Sequence, residues 1–252
     1  MTSDLRHELP ASADVTHPSK ALLHAARPAV RALVRGRYRV GVHRPDRVPA
    51  SGPVVLAANH IGILDGPLLA ALSPRPVHVL TKAEMFVGRT GRFLARAGQV
   101  PVDRFHPDPR AVRTSLRVLR DGGVVGVFPE GQRGDGELHR FHHGAAYLAL
   151  VTGAPVVPVI MLGTRNAGGD ADSRPVRGSE IHLTFGDPVW VEPQPWPRRA
   201  GMVWRTSALL RERLLVVLDE ARGLTGCHLP GPMPPGQYED DPDTGLVDLG
   251  AE

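Results

Sequence analysis

The sequence predicts an α/β fold: a single domain in which a central, largely parallel or mixed sheet is flanked by helices. Short runs rich in β-branched residues alternate with helical patterns, as in strands joined by helices. The chain has 252 residues, 42% of them hydrophobic, and can therefore bury a sizeable core. Its one cysteine, Cys227, excludes an internal disulfide, and no secretory leader is recognised at the amino terminus, which favours a cytoplasmic protein.

The first predicted element is a basic amphipathic helix over residues 20–37, which follows a flexible amino terminus, 1–19. At about 100° per residue its apolar side chains fall within an arc of roughly 120°. Such a helix suits an anionic membrane surface, or it covers the protein's own core. Pro28 is expected to kink or begin it. Its basic side chains occupy the neighbouring arc and are Lys20, Arg27, Arg31 and Arg35.

Seven strands follow, each a short apolar run that ends at a polar or turn-forming residue. Their alternation with helical patterns makes a largely parallel sheet the expected arrangement. The predicted strands cover residues 39–43, 54–59, 77–81, 99–102, 124–128, 156–160 and 181–185.

Three further helices are predicted between and after these strands. Residues 107–121 carry apolar side chains on one face and end at Gly122. The uncharged stretch 144–164 is long enough to cross a membrane, but a glycine and two prolines interrupt it. It is interpreted as a buried helix over 143–152 followed by a strand. A final helix covers about 199–222.

The two ends of the chain differ in charge. Residues 20–44 hold seven basic and no acidic side chains, whereas residues 230–252 hold six acidic and no basic ones. The segment 224–252 is also rich in proline and glycine and lacks periodicity, which predicts an acidic, disordered tail. The folded domain is therefore expected to cover residues 38–223.

A histidine and an aspartate follow strand 54–59, where α/β sheets build their sites. His60 and Asp65 are five positions apart, which on a regular helix would leave their side chains about 140° apart. Gly62 permits the turn that a pair requires. A carboxylate on one ring nitrogen would make His60 a general base. The alternative is that Asp65 only caps a helix at Gly66 and His60 is a hydrogen-bonded core histidine.

Two further strand ends carry arginines. The segment after strand 124–128, Phe-Pro-Glu-Gly-Gln-Arg-Gly, contains Glu130 and Arg133 among glycines. It suits a loop that holds an anion while the carboxylate accepts hydrogen bonds from hydroxyls. Arg104 follows strand 99–102 and is placed to meet a phosphate. The alternatives are an ordinary turn with a solvated ion pair and a strand that ends in a charge without a role.

Taken in order, these segments resemble the glycerolipid acyltransferase family, above all the bacterial 1-acylglycerol-3-phosphate O-acyltransferases. The likeness covers roughly residues 38–190. Four blocks match. The first is Asn-His-x-x-x-x-Asp, at Asn59, His60 and Asp65, and the second is a glycine followed by an apolar strand and an arginine, from Gly98 to Arg104. The third is Phe-Pro-Glu-Gly-x-Arg, from Phe128 to Arg133, and the fourth is Pro-Val-x-Pro-Val, from Pro155 to Val159.

The resemblance implies acyl transfer from a thioester, on coenzyme A or acyl carrier protein, to the hydroxyl of a lysophospholipid, with phosphatidic acid as product. It implies no metal and no cofactor. In this assignment His60 is the base and Asp65 orients it. The substrate-binding positions that match the family are Asn59, Arg104, Glu130, Gly131 and Arg133.

Two departures from the family pattern keep alternatives open. Gly134 replaces a serine, which allows a different acceptor, such as a lyso-ornithine lipid or a glycolipid. A non-catalytic lipid-binding protein is a separate alternative, against which the presence of His60 and Asp65 argues. The segment Phe-His-His-Gly, ending at Gly144, replaces Phe-Lys-x-Gly. With His139 it forms a histidine cluster, for which solvent-exposed side chains and a metal site are the two interpretations.

An acceptor of this kind lies in a bilayer, so the expected location is cytoplasmic and peripheral, at the inner face of the cell membrane. The expected partners are the lysophospholipid, the acyl thioester, an anionic membrane surface and acyl carrier protein. The chain carries no recognised nucleic-acid motif and few aromatic residues among its basic ones, so nucleic acid is not an expected partner.

Overall fold

Seven strands form one sheet at the centre of the protein. The computed structural model describes residues 9–237 and confirms the predicted α/β class. All seven predicted strands are present, with boundaries that differ by at most two residues. They are β1 Arg39–His43, β2 Val54–Ala58, β3 Val77–Lys82, β4 Val100–Val102, β5 Val124–Val127, β6 Val156–Leu162 and β7 Glu180–Phe185.

The order of the strands across the sheet is β1-β7-β6-β2-β5-β3-β4. Every neighbouring pair is parallel except β6 and β7, which are antiparallel, so the sheet is mixed and mostly parallel as predicted. Because β2, β5, β3 and β4 are parallel neighbours, their carboxyl ends meet along one edge of the sheet.

Seven α-helices lie around this sheet within the described residues, together with two short 3₁₀ helices at residues 45–47 and 83–85. The predicted helices 107–121, 143–152 and 199–222 are all found. Asp108 caps the first of them, since its side chain accepts a hydrogen bond from the N–H of Ala111 at 2.9 Å. The helices are α1 Ala21–Ala25, α2 Arg27–Arg37, α3 Asp65–Leu72, α4 Gly88–Arg96, α5 Pro109–Arg120, α6 Gly144–Thr152 and α7 Ala200–Thr225.

Strand β2 shows why both faces must be covered. Its residues are all buried and alternate between two cores. Val55 and Ala57 pack on the side of α5, α6 and α7, whereas Val54 and Leu56 pack on the side of α3. The strand is thereby held between two apolar layers, and the loop that follows it starts from a fixed position.

The amino-terminal helix is split into α1 and α2 at Ala26, where the sequence predicted one helix or a kink. Pro28 has no N–H to donate to the carbonyl of His24, so the helix restarts around it. Arg27 and Arg31 donate to backbone carbonyls at the end of α3, those of Ser73 and Ala71. Two of the basic side chains thus satisfy the carboxyl end of a neighbouring helix, where cations are favoured.

The segments outside the sheet and helices lie as follows. Residues 9–19, expected to be flexible, run along α5, where Arg113 donates to the carbonyl of Ala11 and Arg117 to that of Ala13. Of the expected disordered tail, 224–252, residues 238–252 lie outside the described residues. Residues 224–237 differ from the expectation, because α7 continues to Thr225, Arg165 donates to the carbonyl of Gly231, and Met233 is buried. Among residues 9–237 no helix has the length and apolar character needed to span a bilayer.

Candidate active site

His60 and Asp65 form a pair in the loop between β2 and α3. The chain turns so that His60 Nδ1 lies 2.8 Å from Asp65 Oδ2. The same carboxylate oxygen accepts hydrogen bonds from the backbone N–H groups of Ile61 and Gly62, at 2.7 and 2.8 Å. The loop therefore wraps around one carboxylate, and this wrapping brings the two side chains together.

Asp65 does not cap α3, so the capping interpretation of the sequence is wrong. It is the first residue of that helix, and no side-chain hydrogen bond caps the helix. Its carboxylate is fully buried, and its bonds run back to the preceding loop instead of forward into the first turn. A buried carboxylate needs such donors, because its transfer out of water is costly.

Thr164 completes the shell around Asp65, and sequence reasoning missed it. It lies two residues beyond β6, is fully buried and donates its hydroxyl hydrogen bond to Asp65 Oδ1. Gly62 makes room for this segment, since a Cβ at position 62 would come 2.7 Å from the carbonyl oxygen of Thr164. Gly62 is therefore needed for a close approach of two chain segments, and its φ is not positive.

The bond to Asp65 orients the imidazole of His60. An ionised carboxylate only accepts hydrogen bonds, so Nδ1 carries the proton and Nε2 of the neutral ring has a free lone pair. The ring stacks on Phe128, with centroids 4.2 Å apart and planes at 21°. The His60 side chain is 16% exposed and lines a cleft. This arrangement can take a proton from a hydroxyl that enters the cleft.

Glu130 lies behind the cleft and holds the backbone of His60 in place. It is buried, and its Oε1 accepts a hydrogen bond from the N–H of His60 at 2.7 Å. The N–H of Gly134 donates to the carbonyl of His60 at 2.9 Å. The loop after β5 therefore binds both the backbone N–H and the backbone carbonyl of His60. The sequence predicted that Glu130 accepts from bound hydroxyls, but the carboxylate points into the protein.

Burial raises the pKa of Glu130 to about 8 from its ordinary 4.5, and Asp135 and Asp65 add to this shift. The folded state therefore holds a proton that the unfolded chain releases. The stability that depends on this group is complete below about pH 4.5 and falls as the pH rises toward 8, by roughly 1.4 kcal/mol per pH unit.

Replacing Glu130 by glutamine is accordingly expected to remove that fall in stability. Glutamine keeps an acceptor for the N–H of His60 but does not titrate. Urea unfolding of the parent and of Glu130→Gln at about pH 5 and pH 8 measures the difference, which is expected to favour the variant more at the higher pH. If the free energy of unfolding changed with pH in the same way in both proteins, the raised pKa of Glu130 would be contradicted.

Arg104, Gly131 and Arg133, which the family resemblance assigned to substrate binding, lie in the wall of the cleft. Arg104 Nη1 donates to the carbonyl of Gly131 at 3.1 Å. Arg133 Nη1 donates to Asp172 Oδ1 at 2.6 Å and to the carbonyl of Ala171 at 2.9 Å. The two guanidinium groups come from the ends of β4 and β5, which meet at the same edge of the sheet as the end of β2.

Asn59 was expected to bind substrate, but the structure places it outside the cleft. Its side chain is fully buried, and its amide pairs with the backbone of Met161, accepting from the N–H at 2.7 Å and donating to the carbonyl at 3.1 Å. This pairing fastens the end of β2 to β6. Asn59 is therefore placed to position His60 through the backbone.

The cleft in front of His60 has a volume of about 850 Å³. Its lining combines His60 and the two arginines with a mostly apolar wall. The apolar wall comes from α1, α3, β3, the 3₁₀ turn at residues 83–85 and α4, and includes Leu22, Leu23, Pro67, Val79, Leu80, Met85, Phe93 and Leu94. A cleft that joins charged and apolar walls suits an amphiphilic ligand.

The histidine cluster noted in the sequence is spread over different partners. His142 and His143 line the cleft, and His143 Nδ1 lies 2.8 Å from the hydroxyl of Ser207. His139 Nε2 lies 3.6 Å from Asp135 Oδ2 on an exposed part of the loop. These three rings do not converge on one point.

The chain is similar in sequence to known acyltransferases. An acyltransferase family model matches residues 39–162, which include every predicted site residue. The chain is 31% identical over 163 residues to 1-acyl-sn-glycerol-3-phosphate acyltransferase of Bacillus subtilis, covering 64% of this chain and 79% of that protein. It is 33% identical over 172 residues to lyso-ornithine lipid O-acyltransferase of Pseudomonas aeruginosa, covering 67% of this chain and 64% of that protein.

The fold is also similar to that of a solved structure. The crystal structure of the 1-acyl-sn-glycerophosphate acyltransferase of Thermotoga maritima superposes with a TM-score of 0.56 at 21% sequence identity. The match covers 76% of this chain and 78% of that one. The two proteins share their architecture.

Proposed function

The chain belongs to the acyltransferase family that includes the 1-acyl-sn-glycerol-3-phosphate acyltransferases, and from this premise we propose that it acylates the hydroxyl of 1-acylglycerol-3-phosphate. Membership makes it an O-acyltransferase, so the resemblance inferred from its motifs is confirmed and the non-catalytic alternative is not retained. The observation that carries the proposal is the His60–Asp65 pair, which opens into a cleft with two arginines and apolar walls.

The proposed reaction begins with proton transfer to His60. Nε2 removes the proton of the acceptor hydroxyl as its oxygen attacks the carbonyl carbon of the thioester. Asp65 holds the ring in the required tautomer and stabilises the imidazolium. The tetrahedral intermediate then collapses, the carbon–sulfur bond breaks, and the proton passes from His60 to the departing thiolate. The products are the new ester and the free thiol, and no covalent enzyme intermediate is needed.

The phosphate of the acceptor is proposed to bind Arg104 and Arg133. A guanidinium matches a phosphate in a two-pronged geometry that an ammonium cannot reproduce. Asp172 and the carbonyl of Gly131 hold the two side chains at the cleft wall.

Lysine at either arginine position is therefore expected to raise the KM for the lysolipid by about 10-fold, with a smaller effect on kcat. Arg177→Lys, at an exposed position outside the cleft, serves as the matched control. Steady-state kinetics with varied acceptor measures the effect. Unchanged acceptor KM in both Arg104→Lys and Arg133→Lys would place the head group elsewhere.

The acyl donor is proposed to be acyl-CoA or acyl carrier protein, with its chain in the apolar groove. A second candidate acceptor is lyso-ornithine lipid, which the relative from Pseudomonas aeruginosa favours. The sequence suggested this second acceptor because Gly134 replaces a serine of the family pattern, but Gly134 does not line the cleft. A Cβ there would come no nearer than 3.8 Å to Glu130 Oε2, so a serine would fit behind the wall.

A substrate panel tests the proposed function. The purified full-length protein is supplied with palmitoyl-CoA or palmitoyl-acyl carrier protein and with lysophosphatidic acid, lyso-ornithine lipid or lysophosphatidylcholine. Mass spectrometry is expected to show phosphatidic acid as the principal product. Preferred formation of ornithine lipid would select the second candidate, and no product with any acceptor would contradict both.

The rim of the cleft is proposed to contact the membrane. Four apolar side chains there are exposed: Met85 and Phe93, which line the cleft, and Val87 and Phe105, which lie within two residues of lining residues in the sequence. Helix α4 adds exposed arginines at positions 89, 92 and 96, which share one face of the helix. Apolar side chains beside cations suit an anionic lipid surface, and this rim would let a lipid enter the cleft without crossing water. The inner face of the cell membrane is the proposed location.

Changing Arg89, Arg92 and Arg96 to glutamine is expected to weaken binding to phosphatidylglycerol vesicles roughly 100-fold, since each charge contributes about 1 kcal/mol. High salt is expected to have the same effect on the parent. Vesicle sedimentation measures the effect of the substitutions and the effect of salt. The variant Arg35→Gln, measured in the same way, tests whether α2 contributes to vesicle binding.

Substitution of two exposed valines, one at the rim and one outside it, tests the apolar part of the proposed membrane contact. Val87→Ser is expected to weaken sedimentation, whereas Val176→Ser, at an equally exposed valine in a different loop, is not. Undiminished, salt-insensitive sedimentation of the triple arginine variant would contradict the proposed rim.

A further inference from the structure

A second cluster of chemically reactive side chains lies outside the cleft. Glu180 and His182 belong to β7, and Cys227 lies two residues beyond the end of α7. One donor atom from each of these side chains lies within 4.8 Å of the other two. None of the three lines the cleft. The cluster therefore needs an explanation separate from acyl transfer.

The ring of His182 is held by a second histidine. Its Nδ1 lies 3.0 Å from Nε2 of His43, on the neighbouring strand β1. Both nitrogens lie over Gly41, where a Cβ would come 2.5 Å from one and 2.7 Å from the other. A glycine at this position is thus required by the paired rings, and the pairing directs Nε2 of His182 away from His43.

Nε2 of His182 faces the other two members of the cluster. It is buried and has no hydrogen-bond partner, although Glu180 Oε2 lies 3.9 Å away. The other carboxylate oxygen of Glu180 faces Arg39, at 3.4 Å. A buried ring nitrogen without a protein partner is destabilising unless another group binds it, so Nε2 of His182 is available as a ligand atom.

We propose that Glu180, His182 and Cys227 bind a zinc ion. Carboxylate oxygen, imidazole nitrogen and thiolate sulfur are the ligand atoms that zinc takes in proteins, and three protein ligands leave a fourth position for water. The ligand atoms of a tetrahedral zinc site are roughly 3.5 Å apart, so small side-chain rotations complete the set. The bond from His182 to His43 matches the outer-shell contact that orients a metal-bound imidazole.

This site would join parts of the chain that are distant in sequence. Cys227 packs beside Ile160, Leu162 and Leu218 at the end of α7, whereas Glu180 begins β7. A zinc ion between them would fasten the segment after α7 to the sheet. Binding is therefore expected to stabilise the folded protein.

Metal titration of the full-length protein tests the proposal. After treatment with EDTA and removal of the chelator, the protein is expected to bind one equivalent of Zn²⁺ by calorimetry. Free zinc at about 100 times its Kd is expected to raise Tm by roughly 5 to 10 °C. Co²⁺ is expected to give the charge-transfer absorption of a cobalt–thiolate bond, which reports on Cys227 directly.

Variants locate the bound metal. Cys227→Ser, a change of one atom at a half-buried position, is expected to abolish the cobalt–thiolate absorption and the Tm shift. His43→Ala is expected to weaken binding by about 10- to 100-fold. His139→Gln, in the histidine-containing loop, is the control and is expected to bind normally. No binding by the parent, zinc binding that survives unchanged in Cys227→Ser, or loss of binding in His139→Gln would overturn the proposal.

Discussion

Replacement of His60 by alanine is expected to lower kcat by about 10²- to 10⁴-fold, the usual contribution of a general base. The variant loses the group that takes the proton of the acceptor hydroxyl, whereas the cleft walls and both arginines remain. Lysolipid binding is therefore expected to stay close to that of the parent. Single-turnover kinetics with saturating acyl donor measures the chemical step apart from substrate binding.

Two controls separate loss of the base from loss of the fold. His139→Ala removes a histidine that is exposed and outside the cleft wall, and it is expected to retain the parent rate. Circular dichroism and melting of His60→Ala establish that the domain is intact, since the Glu130 bond to position 60 uses the backbone N–H. A folded His60→Ala enzyme that keeps more than about a tenth of the parent rate would remove His60 from the mechanism.

Asp65→Asn is expected to be the second most damaging single change, lowering kcat by roughly 10²- to 10⁴-fold. Its amide oxygen can still accept from His60 Nδ1, Ile61 and Gly62, while its NH₂ faces the hydroxyl of Thr164, which can accept instead. The ring is thus held in place, but the negative charge that stabilises the imidazolium is gone.

Steady-state rates and melting curves of Asp65→Asn distinguish this role from a structural one. A loss of rate with a small change in Tm is the expected outcome. A variant that melts earlier but turns over normally would show that Asp65 only shapes the loop. Earlier melting with normal turnover is what the capping interpretation predicts. The hydrogen bonds of the Asp65 carboxylate run to the preceding loop and already contradict that interpretation.

Local sequence patterns determined most elements of this protein. Apolar, β-branched runs favour strands buried between helices, so the seven strands and helices α5, α6 and α7 could be predicted to within a few residues, whereas α3 was predicted only at its start and α4 was not predicted. The motifs at the ends of β2, β4 and β5 were each weak alone, and their order along the chain carried the family resemblance that assigned them to one site. His60, Asp65, Arg104 and Arg133 all line or adjoin one cleft, because parallel strands end at the same edge.

The direction in which each side chain points depended on tertiary structure. Glu130 and Asn59 occupy motif positions yet turn inward, the first to the N–H of His60 and the second to the backbone of Met161. A motif identifies residues that lie near a site, but it does not distinguish a side chain that contacts a ligand from one that holds the loop. Burial decides between these roles, and burial depends on the layers packed around the loop.

Thr164 shows the same limit most clearly. It is 99 residues from Asp65 in the sequence and touches it only because β6 lies beside β2 in the sheet. Glu130 reaches His60 across 70 residues for the same reason, since β5 lies on the other side of β2. Hydrophobic periodicity is a local property and does not encode strand order. The sequence by itself therefore determined most of the elements and identified the residues of the reactive pair, and the order of the strands decided which distant residues surround that pair.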